Sequence, residues 1–123
     1  VLTSDRPPSE IQKLEERLQQ EFYMAFHNTY PALRGLLCYN LNNSANAIQG
    51  NKNKSMGLQA GRSDLTLYWK GKAYHLEVKT PKGTQQPNQR VWQELVIAHG
   101  FEYTIHRSQE DFMDRVKTII QSI

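Results

Sequence analysis

Gly61 to Lys79 reads GRSDLTLYWKGKAYHLEVK, and the reading of this stretch decides the fold. Two runs of alternating apolar and polar residues flank Lys70-Gly71-Lys72. Gly71 readily takes the positive φ that tight hairpin turns require, so the stretch predicts a β-hairpin from about Ser63 to Lys79. A two-residue turn at Lys70-Gly71 sets Trp69 opposite Lys72, Leu67 opposite Tyr74, Leu65 opposite Leu76 and Asp64 opposite Glu77. Side chains alternate between the two faces of a strand. Leu65, Leu67, Tyr74 and Leu76 then share one face, and Asp64, Thr66, His75, Glu77 and Lys79 share the other. Directly opposite residues have Cα atoms roughly 4.5–5.5 Å apart, and two carboxylates so placed destabilise a strand pair. A cation between them reverses the sign of that effect. Asp facing Glu-x-Lys therefore points to a metal site with a lysine beside it. The plainer alternative is an exposed salt bridge, worth about 0–1 kcal/mol. His75 is either a ligand or proton carrier of that site or a half-buried histidine satisfied by its neighbours.

Upstream, residues 1–9 are polar with two prolines and read as a lead-in, with Ser9 as a helix cap and Glu10 in the first turn. From Glu10 to about Asn28, Ile11, Leu14, Leu18, Phe22, Ala25 and Phe26 recur at helical spacing. At 100° per residue Glu15 falls about 40° from the centre of that stripe and Gln19 about 80°. A carboxylate so near a buried stripe costs free energy unless it is paired or metal-bound. Glu15 is thus the helical acid of choice, ahead of Glu21 and Glu16; the alternative is a solvated glutamate at the helix edge. Tyr30-Pro31 ends the helix, and Gly35 to Leu41 reads as a short buried strand. Residues 42–60, rich in Asn, Ser and Gly with Lys52 and Lys54, read as a long loop.

Downstream, Thr80 to Asn88 is a turn-rich connector. Pro87-Asn88 opens a helix with Val91, Trp92, Leu95, Val96 and Ile97 or Ala98 as its stripe, closed by His99-Gly100. Phe101 to His106 alternates as a fourth strand, and Ser108 caps a last helix carrying Phe112, Val116, Ile119 and Ile120. Strand–helix–strand from Glu77 to His106 implies a parallel right-handed crossover. The order predicts an α/β fold: a mixed central sheet of about four strands with helices on both faces, in one domain spanning 1–123.

Composition narrows the function classes. The 123 residues include 38% hydrophobic and 10% aromatic residues, as in a soluble globular domain. No apolar run approaches the roughly 18 residues of a membrane span, so no membrane partner is expected. No secretory signal is visible, and a cytoplasmic location is expected. The single cysteine, Cys38, excludes an internal disulfide framework and a cysteine-based zinc site. A net charge of +3 permits a polyanionic partner without requiring one.

A hard divalent ion suits the Asp64–Glu77 pair better than zinc does. A metal-held water near Lys79 is a nucleophile in waiting, and the metal also stabilises charge on a phosphoryl oxygen. Carboxylates nearby oppose loss of the lysine proton, so Lys79 is read as orienting the water and stabilising developing charge.

Gly61-Arg62-Ser63-Asp64-Leu65, Leu76-Glu77-Val78-Lys79-Thr80, Gln89 and His99-Gly100-Phe101 together resemble the VRR-NUC nucleases of the PD-(D/E)xK phosphodiesterase superfamily. That pattern has a helical Glu, G-x-P-D, E-x-K, and a Gln opening a helix that ends in Gly. Glu15 in EERLQ matches the helical Glu, followed by Gln19. The resemblance runs over roughly residues 10–120 and implies a restriction-endonuclease-like αβββαβα fold. It implies Asp64, Glu77 and the Val78 carbonyl as ligands of Mg²⁺ or Mn²⁺. Lys79 would be the catalytic lysine, Gln89 would orient water or phosphate, and Glu15 would complete the site. Ser63 departs from the usual proline, which restricts the backbone and does no chemistry. Small stand-alone members, commonly phage-borne, include homodimers that cleave branched DNA such as Holliday junctions. The resemblance thus implies DNA, branched or duplex, as substrate, a homodimer, and the bacterial host cytoplasm if the gene is phage-borne. Lys52, Lys54, Arg62, Lys82 and Arg90, together with Lys70 and Lys72, are candidates for phosphate contacts. A sequence-specific restriction-type nuclease and a non-catalytic nucleic-acid-binding module stand as the competing readings.

Overall fold

A computed structural model describes residues 8–41 and 47–122. Its elements are α1 (Pro8–Thr29), β1 (Leu37–Tyr39), α2 (Ala47–Ser55), β2 (Leu65–Trp69), β3 (Lys72–Val78), α3 (Pro87–Ala98), β4 (Glu102–His106) and α4 (Gln109–Gln121), with a 3-10 turn at Pro31–Leu33. The four strands form one sheet in the order β1-β2-β3-β4. β1, β2 and β3 are mutually antiparallel, and β4 runs parallel to β3. This is the mixed α/β sheet that the order of elements predicts.

The hairpin has the expected register. Leu65 pairs with Leu76, Leu67 with Tyr74 and Trp69 with Lys72. Lys70 and Gly71 both take positive φ, 49° and 82°, as a two-residue turn matched to strand twist requires. The ladder stops at Leu65–Leu76, so Asp64 lies one step beyond it.

That register sorts the side chains into two layers. Leu65, Leu67, Tyr74, Leu76 and Val78 join Phe22 and Phe26 of α1 and Phe112, Val116 and Ile119 of α4 in the main core. The Phe22 and Phe112 rings stack at 4.7 Å, holding α1 to α4. Full burial of each such side chain contributes about 1.5–3 kcal/mol. The opposite face carries Thr66, His75, Glu77 and Tyr103, covered by Trp92 of α3, whose ring meets His75 at 4.8 Å and Tyr103 at 6.0 Å.

Three expectations are corrected. The lead-in over residues 1–9 lies mostly outside the described residues; α1 begins at Pro8, so Ser9 falls inside the first turn instead of capping it. The loop expected at 42–60 contains α2. Ile48 on it and Met56 just after it are exposed, so it has no amphipathic stripe to betray it. It is closed locally instead: Gly57 at φ +102° lets Gly57 N donate to Lys54 O and Leu58 N to Asn53 O, a Schellman-type end. The chain order is therefore αβαββαβα, one helix more than expected. Finally, the apolar stripe expected on α3 is only partly buried: Trp92 and Val96 pack inward, while Val91 and Leu95 are 66% and 54% exposed.

Candidate active site

The carboxyl end of β3 and the loop before β2 bring charged residues together at one end of the sheet. Asp64 follows Gly61-Arg62-Ser63, a buried loop with one special requirement. Gly61 has φ +87°, and a Cβ there would lie 2.5 Å from the Asn88 carbonyl oxygen at the start of α3. Only glycine allows that approach. Asn40 N donates to Asp64 O, and Asp64 Oδ2 accepts from Val78 N at 2.7 Å. The carboxylate is thereby anchored to β3 beside Glu77 and Lys79.

Glu77 and Lys79 lie on one side of β3, and both are buried. The Lys79 ammonium stands 3.7 Å from Glu15 Oε2, so α1 does reach the site, through Glu15. Glu16 is exposed and faces Gln12, and Glu21 lies among Arg17, Met24 and Gln109, away from Lys79. Burial pushes Glu15 above the usual carboxylate range, Lys79 pulls it back, and the Asp64 charge raises it again. Glu77 is raised by burial to about 7, against the pull of Lys79 and the Gln85 amide. Glu15, Asp64, Glu77 and Lys79 thus act on one another electrostatically.

The two oxygens of Glu77 differ. Oε1 accepts the Tyr103 hydroxyl and, at 3.4 Å, the Gln85 amide. Oε2 is buried without a hydrogen-bond partner. A buried charged oxygen left bare costs free energy, and a hard cation would satisfy it. Among the described residues no three His, Cys, Asp or Glu side chains form a ready-made metal cage. Two carboxylates with solvent completing the shell are nevertheless what magnesium-type sites use, so the oxygen donors present fit Mg²⁺ or Mn²⁺.

His75 is one of the residues satisfied by neighbours. Asn40 Nδ2 donates to Thr66 Oγ1 at 2.7 Å, and Thr66 Oγ1 lies 3.1 Å from His75 Nδ1. Ser63 Oγ donates to Leu65 O and lies 3.4 Å from the same ring nitrogen. Burial, with Arg62 adding to it, pushes the imidazole down to about 4. It is a neutral, structural group at neutral pH.

Gln89 sits in the first turn of α3, where its Oε1 accepts from Gln86 N at 2.7 Å and closes a capping box. The amide that reaches Glu77 belongs to Gln85, which also donates to Gln93 Oε1 at 2.7 Å. Arg107 is a further residue that sequence reading missed. Its guanidinium donates to Thr80 O at 2.8 Å and Gly83 O at 2.6 Å, pinning the turn that follows Lys79. No spacing rule links Gln85, Tyr103 or Arg107 to the site: the connector folds Gln85 back onto Glu77, and the crossover through α3 brings Tyr103 to Glu77 and Arg107 to Thr80 and Gly83.

Of the candidate phosphate contacts, Lys52 and Lys54 are exposed on α2, Lys82 on the turn after Lys79, and Arg90 on α3, while Arg62 is half-buried before Ser63. Lys70 and Lys72 do not flank the site. They lie at the hairpin tip, at the other end of the strands from Glu77, roughly 17 Å away at about 3.3 Å per residue.

No curated protein matches the chain. A solved "VRR_NUC domain protein" superposes with a TM-score of 0.68 at 16% identity, covering 85% of this chain and 88% of that one, which shows a shared fold. The family model for the VRR-NUC domain matches residues 6–110, a span that includes the Gly61–Asp64 loop, Glu77, Lys79, Glu15 and Gln89. The chain belongs to the VRR-NUC domain family of nucleases.

Proposed function

We propose that this chain is a Mg²⁺- or Mn²⁺-dependent DNA endonuclease that hydrolyses phosphodiester bonds and selects branched structure, such as a Holliday junction, over sequence. The observation that carries the reading is the bare, buried Glu77 Oε2 beside Asp64 and Lys79. Asp64, Glu77 and the Val78 carbonyl would hold the ion. When bound, the ion supplies a more acidic water and a positive charge for the phosphoryl oxygens.

The chain's own residues do the rest. Lys79, ion-paired with Glu15, presents a fixed ammonium that orients the attacking water and stabilises charge developing on the phosphate. Glu15 keeps that ammonium in place and completes the acidic wall. Gln89 has its carbonyl oxygen engaged in the cap, so its amide donors are what it offers to water or phosphate. In the reaction water adds to phosphorus and one ester oxygen leaves with a proton. Lys52, Lys54, Arg62, Lys82 and Arg90 position the backbone of the duplex without reading its sequence. The enzyme works as a homodimer, and the exposed Val91 and Leu95 of α3 support a second copy as the partner for that helix. A two-fold dimer presents two sites to two strands.

The test is a cleavage assay on junctions, flaps, nicked and linear duplexes with Mg²⁺, Mn²⁺ or EDTA. Cleavage of junctions in metal and none in EDTA is expected. Failure to cut any DNA with either metal would refute catalysis, and cutting of linear duplex at one short sequence would favour a restriction-type enzyme.

A further inference from the structure

Glu77 is 0% exposed, and it is held from one side only. The Tyr103 hydroxyl and the Gln85 amide both go to Oε1. The same Gln85 amide lies 3.4 Å from the Tyr103 hydroxyl oxygen and 2.7 Å from Gln93 Oε1. Tyr103 stands beside His75 in the parallel β3–β4 register, two residues from Glu77, and its ring leans on Trp92. Tyr103 of β4 and Gln85 of the connector therefore both meet Oε1, with Trp92 and Gln93 of α3 packed behind them, and Oε2 is left without a hydrogen-bond partner.

A carboxylate has two equivalent oxygens and can turn about its last torsion, so an isolated Glu offers a ligand of undefined direction. A donor on one oxygen removes that equivalence. We propose that Tyr103, with Gln85 beside it, is a positioning residue that occupies Oε1 and so presents Oε2 of Glu77 to the divalent cation. The inference rests on the metal-dependent reading above. Groups that hydrogen-bond a ligating side chain typically alter metal affinity 10–100-fold when removed. Tyr103→Phe keeps the ring against Trp92 and deletes only the hydroxyl.

The experiment is a calorimetric titration of Mn²⁺ into the wild-type protein, Tyr103→Phe, Gln85→Ala and Glu77→Gln, with melting temperatures in EDTA and the Mn²⁺ dependence of cleavage alongside. Tyr103→Phe is expected to weaken Mn²⁺ binding about tenfold or more. Its half-saturating Mn²⁺ for cleavage should rise in step, with kcat at saturating Mn²⁺ near wild type. Glu77→Gln should bind no Mn²⁺ at the site. A merely structural tyrosine would lower the metal-free melting temperature and leave the affinity alone, and an affinity within twofold of wild type overturns the inference. If Tyr103→Phe does not fold, Gln85→Ala decides: weaker Mn²⁺ binding supports the inference and unchanged binding overturns it. Wild-type protein that binds no Mn²⁺ overturns the metal reading and this inference together.

Discussion

Asp64, Glu77, Lys79 and Glu15 divide the work at the site by what each can do with its surroundings. Asp64 is tied to Val78 N, Glu77 is held by Tyr103 and left bare on one oxygen, and Lys79 is paired with Glu15. Asp64→Asn removes a ligand charge and Lys79→Ala removes the ammonium. Each is expected to lower cleavage by at least about a hundredfold, the scale of losing one fixed charge or donor to the transition state. Circular dichroism and melting in EDTA should stay close to wild type, because neither residue belongs to the main core. Ser63 shows how a departure from the family pattern can be absorbed. It is fully buried, and its hydroxyl joins Leu65 O to the Asn40–Thr66–His75 chain of polar contacts. A proline there has no hydroxyl to give, so this chain secures the loop by hydrogen bonding, with Gly61 making the close turn.

At the scale of elements, the hairpin and the start of α3 set the site together. The register follows from the two-residue turn and from four large apolar residues that must share one face. A slip of one residue would carry Glu77 into the main core and Leu76 out of it. Gly61 joins this hairpin to α3 by backbone contact. Gly61→Ala therefore meets both a left-handed backbone and a carbonyl oxygen 2.5 Å from the new Cβ. A destabilisation of at least about 1–2 kcal/mol is expected from the conformation alone, seen as a lower melting temperature, and cleavage should fall as Asp64 shifts. The basic residues separate by element as well. Lys82 lies on the turn after Lys79 and Arg90 on the first turn of α3, whereas Lys70 and Lys72 crown the far end of the hairpin. Lys82→Ala and Arg90→Ala should each reduce the slope of log K for DNA against log salt by about 1. Lys70→Ala and Lys72→Ala should leave it unchanged, as binding measured across salt concentrations will show.

Across the whole molecule two of the buried titratable groups, His75 and Glu77, work against each other. His75 titrates near 6.5 in the unfolded chain and near 4 in the folded one. Its contribution is intact above 6.5 and is lost as pH falls toward 4, by about 1.4 kcal/mol per unit. Glu77 titrates near 4.5 unfolded and near 7 folded. Without metal its ionisation is withheld by folding, so stability falls as pH rises from 4.5 to 7. Between 4.5 and 6.5 the two slopes cancel. Glu77→Gln removes one of them: in EDTA its stability should rise with pH from 4 to 6.5 and exceed that of the wild type at pH 7.5. Urea unfolding at several pH values measures both effects.

Much of the molecule follows from local pattern. The alternation around Lys70-Gly71 determined the hairpin register, helical spacing determined α1 and α4, and parity placed Glu77 and Lys79 on one face. These depend on periods of about 2 and 3.6 residues that any stretch of chain carries within itself. Other features arise only when distant segments meet. Helical spacing left Glu15, Glu21 and Glu16 open, and the packing of α1 on α4 brought Glu15 to Lys79. The turn chemistry of α2 is carried by Gly57 and two backbone hydrogen bonds, with no apolar stripe to announce it. Tyr103 meets Glu77 because β4 lies parallel to β3 across a helix-length crossover, and Gln85 meets it because the connector before α3 folds back over β3. Sequence alone determined which residues could carry the chemistry. The tertiary structure decided which oxygen of Glu77 is left open, because hydrogen bonds between remote segments have no local period to read.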